Sequence, residues 1–439
     1  MATDILFPRW LIPVVPRHTV LTEHALVITD DRISAILPRE QAIAAYPAAR
    51  HHELPQHALL PGLINLHAHS AMTLLRGYAD DLPLMRWLQE HIWPAEGAHV
   101  SDDFVFDGTQ LAIAEMIAGG TTSCNDMYFH HSAVARAALA SGFRMTIGCS
   151  ILEFPTPYAS NADDYIGKAL KSQAEFAGEK LLQFTLAPHA PYTVSDATFQ
   201  RVITLADELN LGIHCHIHET LDEINTSQKE HGVRPLERLA GLGLLDSPLV
   251  AAHMVHTTDS EIALLAKKGV HIAHNPASNL KLASGLARIQ AQLAAGVNVG
   301  IGTDGAASNN KLDMLAELRL AALLAKGQSG DPEAIPAWQA LEMATLNGAR
   351  ALQQEDQLGS LEVGKQADLI AVDLSAVGTQ PCYDPVSHLV YAADRQQVSD
   401  VWIAGRAVYR HGQHQSLNLA QVQAKARQWQ SKISAGIRA

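Results

Sequence analysis

Histidine accounts for 23 of the 439 residues, and several fall at spacings that one metal ion can use. His67 and His69 stand two apart in Asn65-Leu66-His67-Ala68-His69. Alternate residues of a strand leave the same face, so both imidazoles can offer a nitrogen to one cation. The same period recurs in His214-Cys215-His216-Ile217-His218-Glu219, which is expected to turn its three histidines inward and Cys215 and Ile217 outward. Each of these histidines alone reads equally well as a satisfied core residue, and for His214 that reading is preferred. Asp304 ends the buried-looking run Ile301-Gly302-Thr303-Asp304-Gly305. A carboxylate there is costly unless it is paired or bound to a cation. Three imidazoles, one carboxylate and a position left for water suit Zn²⁺ or Fe²⁺ better than Mg²⁺ or Ca²⁺, which take oxygen ligands. An ion so held lowers the pKa of its water toward neutrality, and the chemistry is then hydrolysis.

These residues lie far apart in sequence, so the fold must gather them. Apolar, β-branched runs alternate with helical patterns, the mark of βα units around a parallel sheet. Eight runs qualify: Ala58–Leu66, Thr121–Asn125, Met145–Ile151, Leu181–Ala187, Leu211–His218, Leu249–His253, Val270–His274 and Val297–Thr303. Helical patterns at Asp102–Ala118, Asp196–Leu209, Ser260–Lys268 and Leu312–Ala325 separate them, the first two opening at the N-cap candidates Ser101 and Ser195. The expectation is an α/β fold, a (β/α)8 TIM-type barrel, whose chemistry gathers at the C-terminal strand ends. Six of the eight strands end in polar residues, among them His189, His253 and His274-Asn275. Short β segments at both chain ends, with a hairpin signal at Ala25–Thr29, Asp30-Asp31 and Ile33–Leu37, predict a small β-sandwich domain built from both termini. The expected boundaries are 1–57 and 361–439 for the two sandwich parts, the second with a C-terminal helix, and 58–360 for the barrel.

Composition excludes other classes. Apolar residues make up 47% and charged residues 18%, a globular balance. A net charge of −13 without a basic cluster repels nucleic acid. The four scattered cysteines, Cys124, Cys149, Cys215 and Cys382, suggest neither disulfides nor a thiolate metal site, and so a reducing compartment. No run approaches a membrane span, and the segment Ile5–Val15, broken by Arg9 and prolines, is not an export signal, so a cytoplasmic location is expected. A GxSxG elbow, a Walker loop, GxGxxG and HExxH are all missing.

The stretches Pro61-Gly62-Leu63-Ile64-Asn65-Leu66-His67-Ala68-His69, His274-Asn275-Pro276-Ala277-Ser278-Asn279-Leu280-Lys281-Leu282 and Gly302-Thr303-Asp304-Gly305-Ala306-Ala307-Ser308-Asn309-Asn310 resemble the amidohydrolase superfamily. Within it they are most similar to the 5′-methylthioadenosine/S-adenosylhomocysteine deaminases and the triazine hydrolases, and the resemblance spans essentially the whole chain. It implies metal ligands His67, His69, His216 and Asp304, with Glu219 and His253 as acid/base residues. Related two-metal barrels carry a bridging lysine after the fourth strand. Here that position reads Ala187-Pro188-His189-Ala190-Pro191-Tyr192, so one metal per subunit is expected, zinc first and iron second. Asp304 is placed to take the water proton, His253 to orient or share it, and Glu219 to protonate a ring nitrogen. The net reaction is hydrolytic deamination of an aminopurine.

The resemblance also implies that Glu96 holds ribose hydroxyls, that Trp87 packs beside the nucleoside and that His189 contacts substrate. Relatives that take adenosylhomocysteine bind its carboxylate through arginines after the third strand. This chain has no arginine from Met145 through Gln200, although Lys168 or Lys171 stands in that stretch. Methylthioadenosine is therefore the preferred substrate, ahead of adenosylhomocysteine and adenosine. A small purine nucleoside is the expected partner, without nucleic acid or membrane, and a homo-oligomer is compatible. The rival readings are a triazine amino- or chlorohydrolase, a guanine or pterin deaminase, and a non-catalytic metal-binding barrel. Among single residues, His256 competes with His253, His274 is left between substrate-face and supporting roles, and His51, His52, His130 and His131 read as surface residues.

Overall fold

The computed structural model describes residues 3–437. The run expected as one strand over Ala58–Leu66 is two strands in two different sheets. Strand β4 (Arg50–Pro61) follows β1 (Thr3–Leu11), β2 (His24–Thr29) and β3 (Arg32–Pro38), and β5 (Leu63–Ala68) opens a second sheet. Gly62 separates them, and a Cβ there would lie 2.0 Å from Thr122 Oγ1. Ala58 through Ala68 are all buried, so burial does not mark the break, and the dipeptide Pro61-Gly62 is its one signal in the sequence.

The first sheet has the order β16-β15-β14-β13-β4-β1-β2-β3, where β13 is Leu369–Asp373, β14 Val398–Ile403, β15 Arg406–Arg410 and β16 Gln413–His414. Strand β1 pairs parallel with β4 and antiparallel with β2, and β13 lies antiparallel on the other side of β4. The β2–β3 hairpin forms where Asp30-Asp31 predicts it. The stretch Asp400–Tyr409 also folds back on itself, at Ala404-Gly405, and Gly405 (φ 73°) passes so close that a Cβ would sit 1.9 Å from the Asp30 carbonyl oxygen. Leu6, Leu26, Leu59, Leu369 and Trp402 pack on one face, while Ile5, Phe7, Val27 and Ala42 pack on the other. Alternation along β1 thus covers both faces, giving the small sandwich-like domain drawn from both chain ends.

The second sheet runs in chain order from β5 through β6 (Thr121–Tyr128), β7 (Arg144–Ile151), β8 (Leu182–Pro188), β9 (Gly212–Ile217), β10 (Leu249–His253), β11 (His271–His274) and β12 (Asn298–Ile301). Its pairs are parallel, as in β7–β8, β9–β10 and β11–β12. The amides of Thr303 and Asp304 donate to the His67 carbonyl at 3.1 and 2.9 Å, joining the exit of the last strand to the first. This is the expected (β/α)8 barrel. Ser101 and Ser195 cap helices Asp102–Ala118 and Asp196–Leu209 as anticipated, accepting the amides of Phe104 and Thr198 at 3.2 and 3.3 Å. The helix Leu419–Ile437 packs Trp429 edge-on against Phe104, and the Trp429 Nε1–H donates to Asp107 at 2.9 Å. The chain forms two compact units, Met1–Asn65 with Ala114–Ser123 and Asp313–Leu417, and Leu66–Ile113 with Cys124–Leu312 and Asn418–Ala439. Among the described residues no helix is long and apolar enough to cross a membrane.

Candidate active site

Every polar side chain expected at the barrel mouth belongs to the second unit. His67 lies within β5 and His69 follows it, His189 follows β8, His216 lies within β9, His253 ends β10, and Asp304 comes three residues after β12. At three of these exits the chain turns through left-handed backbone. His218 has φ 57°, His253 and Met254 have φ 75° and 44°, and Asp304 has φ 61°. A non-glycine residue in that region costs of order 1–3 kcal/mol and persists where the surroundings over-determine it. Here it ends the two-residue alternation at once, and the next side chain is not sent where strand periodicity would send it.

His69 Nδ1 lies 2.6 Å from the Met127 carbonyl and His216 Nδ1 lies 2.8 Å from the His189 carbonyl. Carbonyl oxygens only accept, so each Nδ1 carries a hydrogen and each Nε2 is left to act as ligand. The two Nε2 atoms face each other at 3.3 Å. Asp304 Oδ1 is 3.3 Å from His67 Nε2 and 3.2 Å from His69 Nε2. Donor atoms of His67, His69 and Asp304 converge within 4.8 Å, as do those of His67, His216 and His253. Nitrogen donors crowded around one carboxylate oxygen, all buried or nearly so, fit a divalent ion of the zinc type. Each donor is braced from behind. His67 Nδ1 meets His214 Nε2 at 2.9 Å, and Asp304 Oδ2 accepts the hydroxyls of Ser278 and Ser308 at 2.6 and 2.8 Å. His253 Nδ1 lies 2.8 Å from Asn279 Oδ1, which leaves its Nε2 facing Glu219 Oε2 at 3.9 Å.

The cluster floors a cavity of about 340 Å³. His69, His189, His216, Glu219, His253 and Asp304 line its base. One wall is helical, with a π-helical turn at Trp87–Ile92 leading into helix Trp93–His99, which presents Trp93, Glu96 and Gly97 to the cavity, continued by Val100. That spacing is one helical face. Glu96 accepts the Tyr128 hydroxyl at 2.6 Å, and Trp87 Nε1–H donates to the Ala79 carbonyl at 3.0 Å. The opposite wall is the loop Leu152, Phe154, Pro155, Pro157 and Tyr158, with Phe154 and Trp93 rings 5.7 Å apart. Among the described residues no lysine or arginine lines the cavity. Lys168 is bound to Asp164 at 2.9 Å and to the Tyr158 carbonyl.

The sequence profile of the amidohydrolase family matches residues 58–408. The chain belongs to this family. A 5-methylthioadenosine/S-adenosylhomocysteine deaminase of Teredinibacter turnerae is 48% identical over 426 residues, 97% of this chain and 96% of the relative. A crystal structure of an adenosine deaminase from Xanthomonas campestris with bound zinc superposes with a TM-score of 0.97 at 47% identity, covering 99% of both chains. The atrazine chlorohydrolase of Arthrobacter aurescens shares the fold at a TM-score of 0.90 and 23% identity, covering 97% of this chain and 99% of that one. As an amidohydrolase, the protein is a hydrolytic enzyme of a family acting on carbon–nitrogen bonds.

Within this amidohydrolase site, burial opposes charge on the rings of His67, His69, His189 and His216. It drives His67 down to about 4 and His189 to about 3, and holds His216 well below the usual imidazole range. At His69 the hydrogen bond and charge of Asp304 outweigh burial and lift the ring to about 9. Burial also works against charge on Asp304, but its two histidine partners hold it well below the carboxylate range. Burial raises Glu219, and it raises Glu96 to about 7 against the pull of Tyr128.

Three expectations change. His218 is not turned inward with His214 and His216, because its left-handed backbone swings the ring outward, where Nε2 accepts the Leu236 amide at 3.1 Å. His131 is fully buried, with Nδ1 3.3 Å from the Tyr158 hydroxyl, and is no surface residue. His52 is also largely enclosed, its Nε2 2.6 Å from Asp4 Oδ1. His256 is tied to the Ser284 carbonyl at 2.6 Å and does not line the cavity, nor does the buried His274. Sequence reading gave no role to Tyr128 or the wall loop Leu152–Tyr158, which carry no periodic or motif signal, nor to Ser308, although it lies within the stretch Gly302–Asn310.

Proposed function

We propose that this amidohydrolase hydrolyses the amino group from adenine nucleosides, 5′-methylthioadenosine foremost, releasing ammonia and the inosine analogue. The observation that carries the reading is the pairing, in one cavity, of a convergent His/Asp donor set with a separate buried carboxyl, Glu219. His67, His69, His216 and Asp304 would hold one divalent ion, zinc by analogy with the Xanthomonas enzyme. That ion, when bound, supplies Lewis acidity and a water of near-neutral pKa. Asp304 takes the water's proton and passes it to the departing amine, His253 orients the water, and Glu219, whose pKa burial raises, delivers a proton to the purine ring nitrogen beside the carbon under attack. Glu96 accepts the ribose hydroxyls, Trp87 flanks the nucleoside and His189 touches the base. Names of relatives support the substrate class.

The wall decides the 5′ end. Trp93, Phe154, Pro155 and Pro157 give a methylthio group apolar surface, whereas an amino-acid carboxylate finds no cation among the cavity residues. Burying a charge without a partner is expensive, so kcat/KM for S-adenosylhomocysteine should fall at least about tenfold below that for methylthioadenosine. Ammonia release from methylthioadenosine, adenosylhomocysteine, adenosine, guanine and a chlorotriazine tests both statements. Turnover confined to guanine or the triazine would overturn the reading, and equal efficiency on the two thionucleosides would overturn the wall argument.

Glu96 adds a pH signature. It accepts two hydroxyls only as the anion, and its pKa is raised to about 7. Anion therefore disappears as pH falls through about 7, and KM for a ribonucleoside should climb on that side, while KM for a 2′,3′-dideoxynucleoside stays level. Parallel behaviour of the two substrates would take Glu96 out of ribose binding.

A further inference from the structure

Glu219 leaves the barrel across an unfavourable backbone step. Strand β9 ends at Ile217, and His218 adopts a left-handed conformation (φ 57°) that an L-residue resists. The direction in which Glu219 points depends on that step being held. The carbonyl of His218 accepts the amides of Val255 and His256 at 3.0 and 3.2 Å. The other side of the same peptide is held by Glu223, whose Oε2 accepts the Glu219 amide at 2.8 Å while Oε1 accepts the His218 amide at 2.8 Å.

Glu223 sits in the first turn of helix Leu221–His231, whose N-cap, Thr220, accepts the Glu223 amide at 3.2 Å. In a capping box the glutamate at this position bonds back to the N-cap amide. Here the carboxylate reaches past Thr220 to the two preceding amides. It is also 6% exposed, whereas a helix cap can lie at the surface without the penalty of enclosing a carboxylate. Helix capping alone does not account for that placement. Two converging N–H donors suit a group with two acceptor oxygens, and glutamine offers one oxygen and sets an NH₂ against the remaining amide.

We propose that Glu223 is a positioning residue for the deamination, fixing through two backbone amides the direction in which Glu219 presents its carboxyl. The proposal rests on the proton-donor role given to Glu219 above. A misplacement of about 1 Å at a reacting group can cost about 100-fold. For Glu223→Gln we expect kcat for methylthioadenosine to fall about 10- to 100-fold, with KM within about threefold and metal content per chain unchanged, since no donor of the histidine cluster is touched. Glu223→Ala should fall further.

The decisive measurement is a double-mutant cycle with Glu219→Gln, scored by kcat, metal analysis and melting temperature. A residue acting through Glu219 adds no further loss of kcat once Glu219 is replaced. Full additivity, or wild-type kcat in folded, metal-loaded Glu223→Gln, would overturn the proposal, as would a loss traced to missing metal. A carboxylate that merely stabilises the fold would lower the melting temperature and leave kcat of the folded enzyme alone. If Glu223→Gln does not fold, Glu223→Asp keeps the carboxyl group, falls one methylene short and asks the same question. Wild-type enzyme silent on every adenine nucleoside would refute the functional reading and this proposal together, whereas active wild type with an unaffected variant refutes this proposal alone.

Discussion

Replacing Glu219 by glutamine is expected to lower kcat for methylthioadenosine by about 10²- to 10⁴-fold, the range a positioned general acid contributes, while the bound metal stays in place. Glutamine keeps the shape of the side chain and can donate a hydrogen bond, but it cannot surrender a proton to the ring nitrogen as water attacks. The environment argues that glutamate is present for that proton. Glu219 is buried at the base of the cavity, enclosure raises its pKa, and it faces the His253 ring at 3.9 Å without belonging to either convergent donor group. Ammonia release measured beside metal content separates the outcomes. Undiminished turnover would remove Glu219 from the mechanism, and a loss matched by missing metal would make it a ligand instead.

His67→Ala and Asp304→Ala should each remove both the metal and the activity, with turnover falling by about four orders of magnitude or more. The scale follows from the water, whose pKa is 15.7 in bulk and about 7 on a catalytic zinc. Asp304 has the wider reach, because its Oδ1 lies against both His67 and His69 and its Oδ2 is held by Ser278 and Ser308. Removing it leaves imidazoles converging on no negative charge. Chelation of the wild-type enzyme should reproduce the loss, and zinc should restore the wild type but neither variant. Full activity in a variant shown to carry no metal would end the metal-dependent reading.

Much of this site is visible in the chain itself, because βα alternation places strand ends and strand ends place His67, His69, His216, His253 and Asp304. What stays hidden has definite physical causes. The run from Ala58 to Leu66 is apolar except for Asn65, and only the dipeptide Pro61-Gly62 signals that it divides between two sheets. Period two predicts an inward His218, but the period is blind to the sign of φ, and a left-handed residue reverses the outcome. His131 looks like a surface histidine until Tyr158, distant in sequence, closes over it. Glu223 reads as an ordinary first-turn glutamate, and only the folded backbone shows which amides it meets. The cavity wall from Leu152 to Tyr158 has composition and no pattern.

The left-handed turns at the strand exits bear on how this chain can diverge. His218, His253, Met254 and Asp304 occupy backbone that a β-branched newcomer tolerates poorly. The wall residues 84–100 and 152–158 include no positive φ, so exchanges there meet no such barrier. Descendants of this sequence would accordingly shift their diet by repainting the walls while inheriting the reactive floor intact.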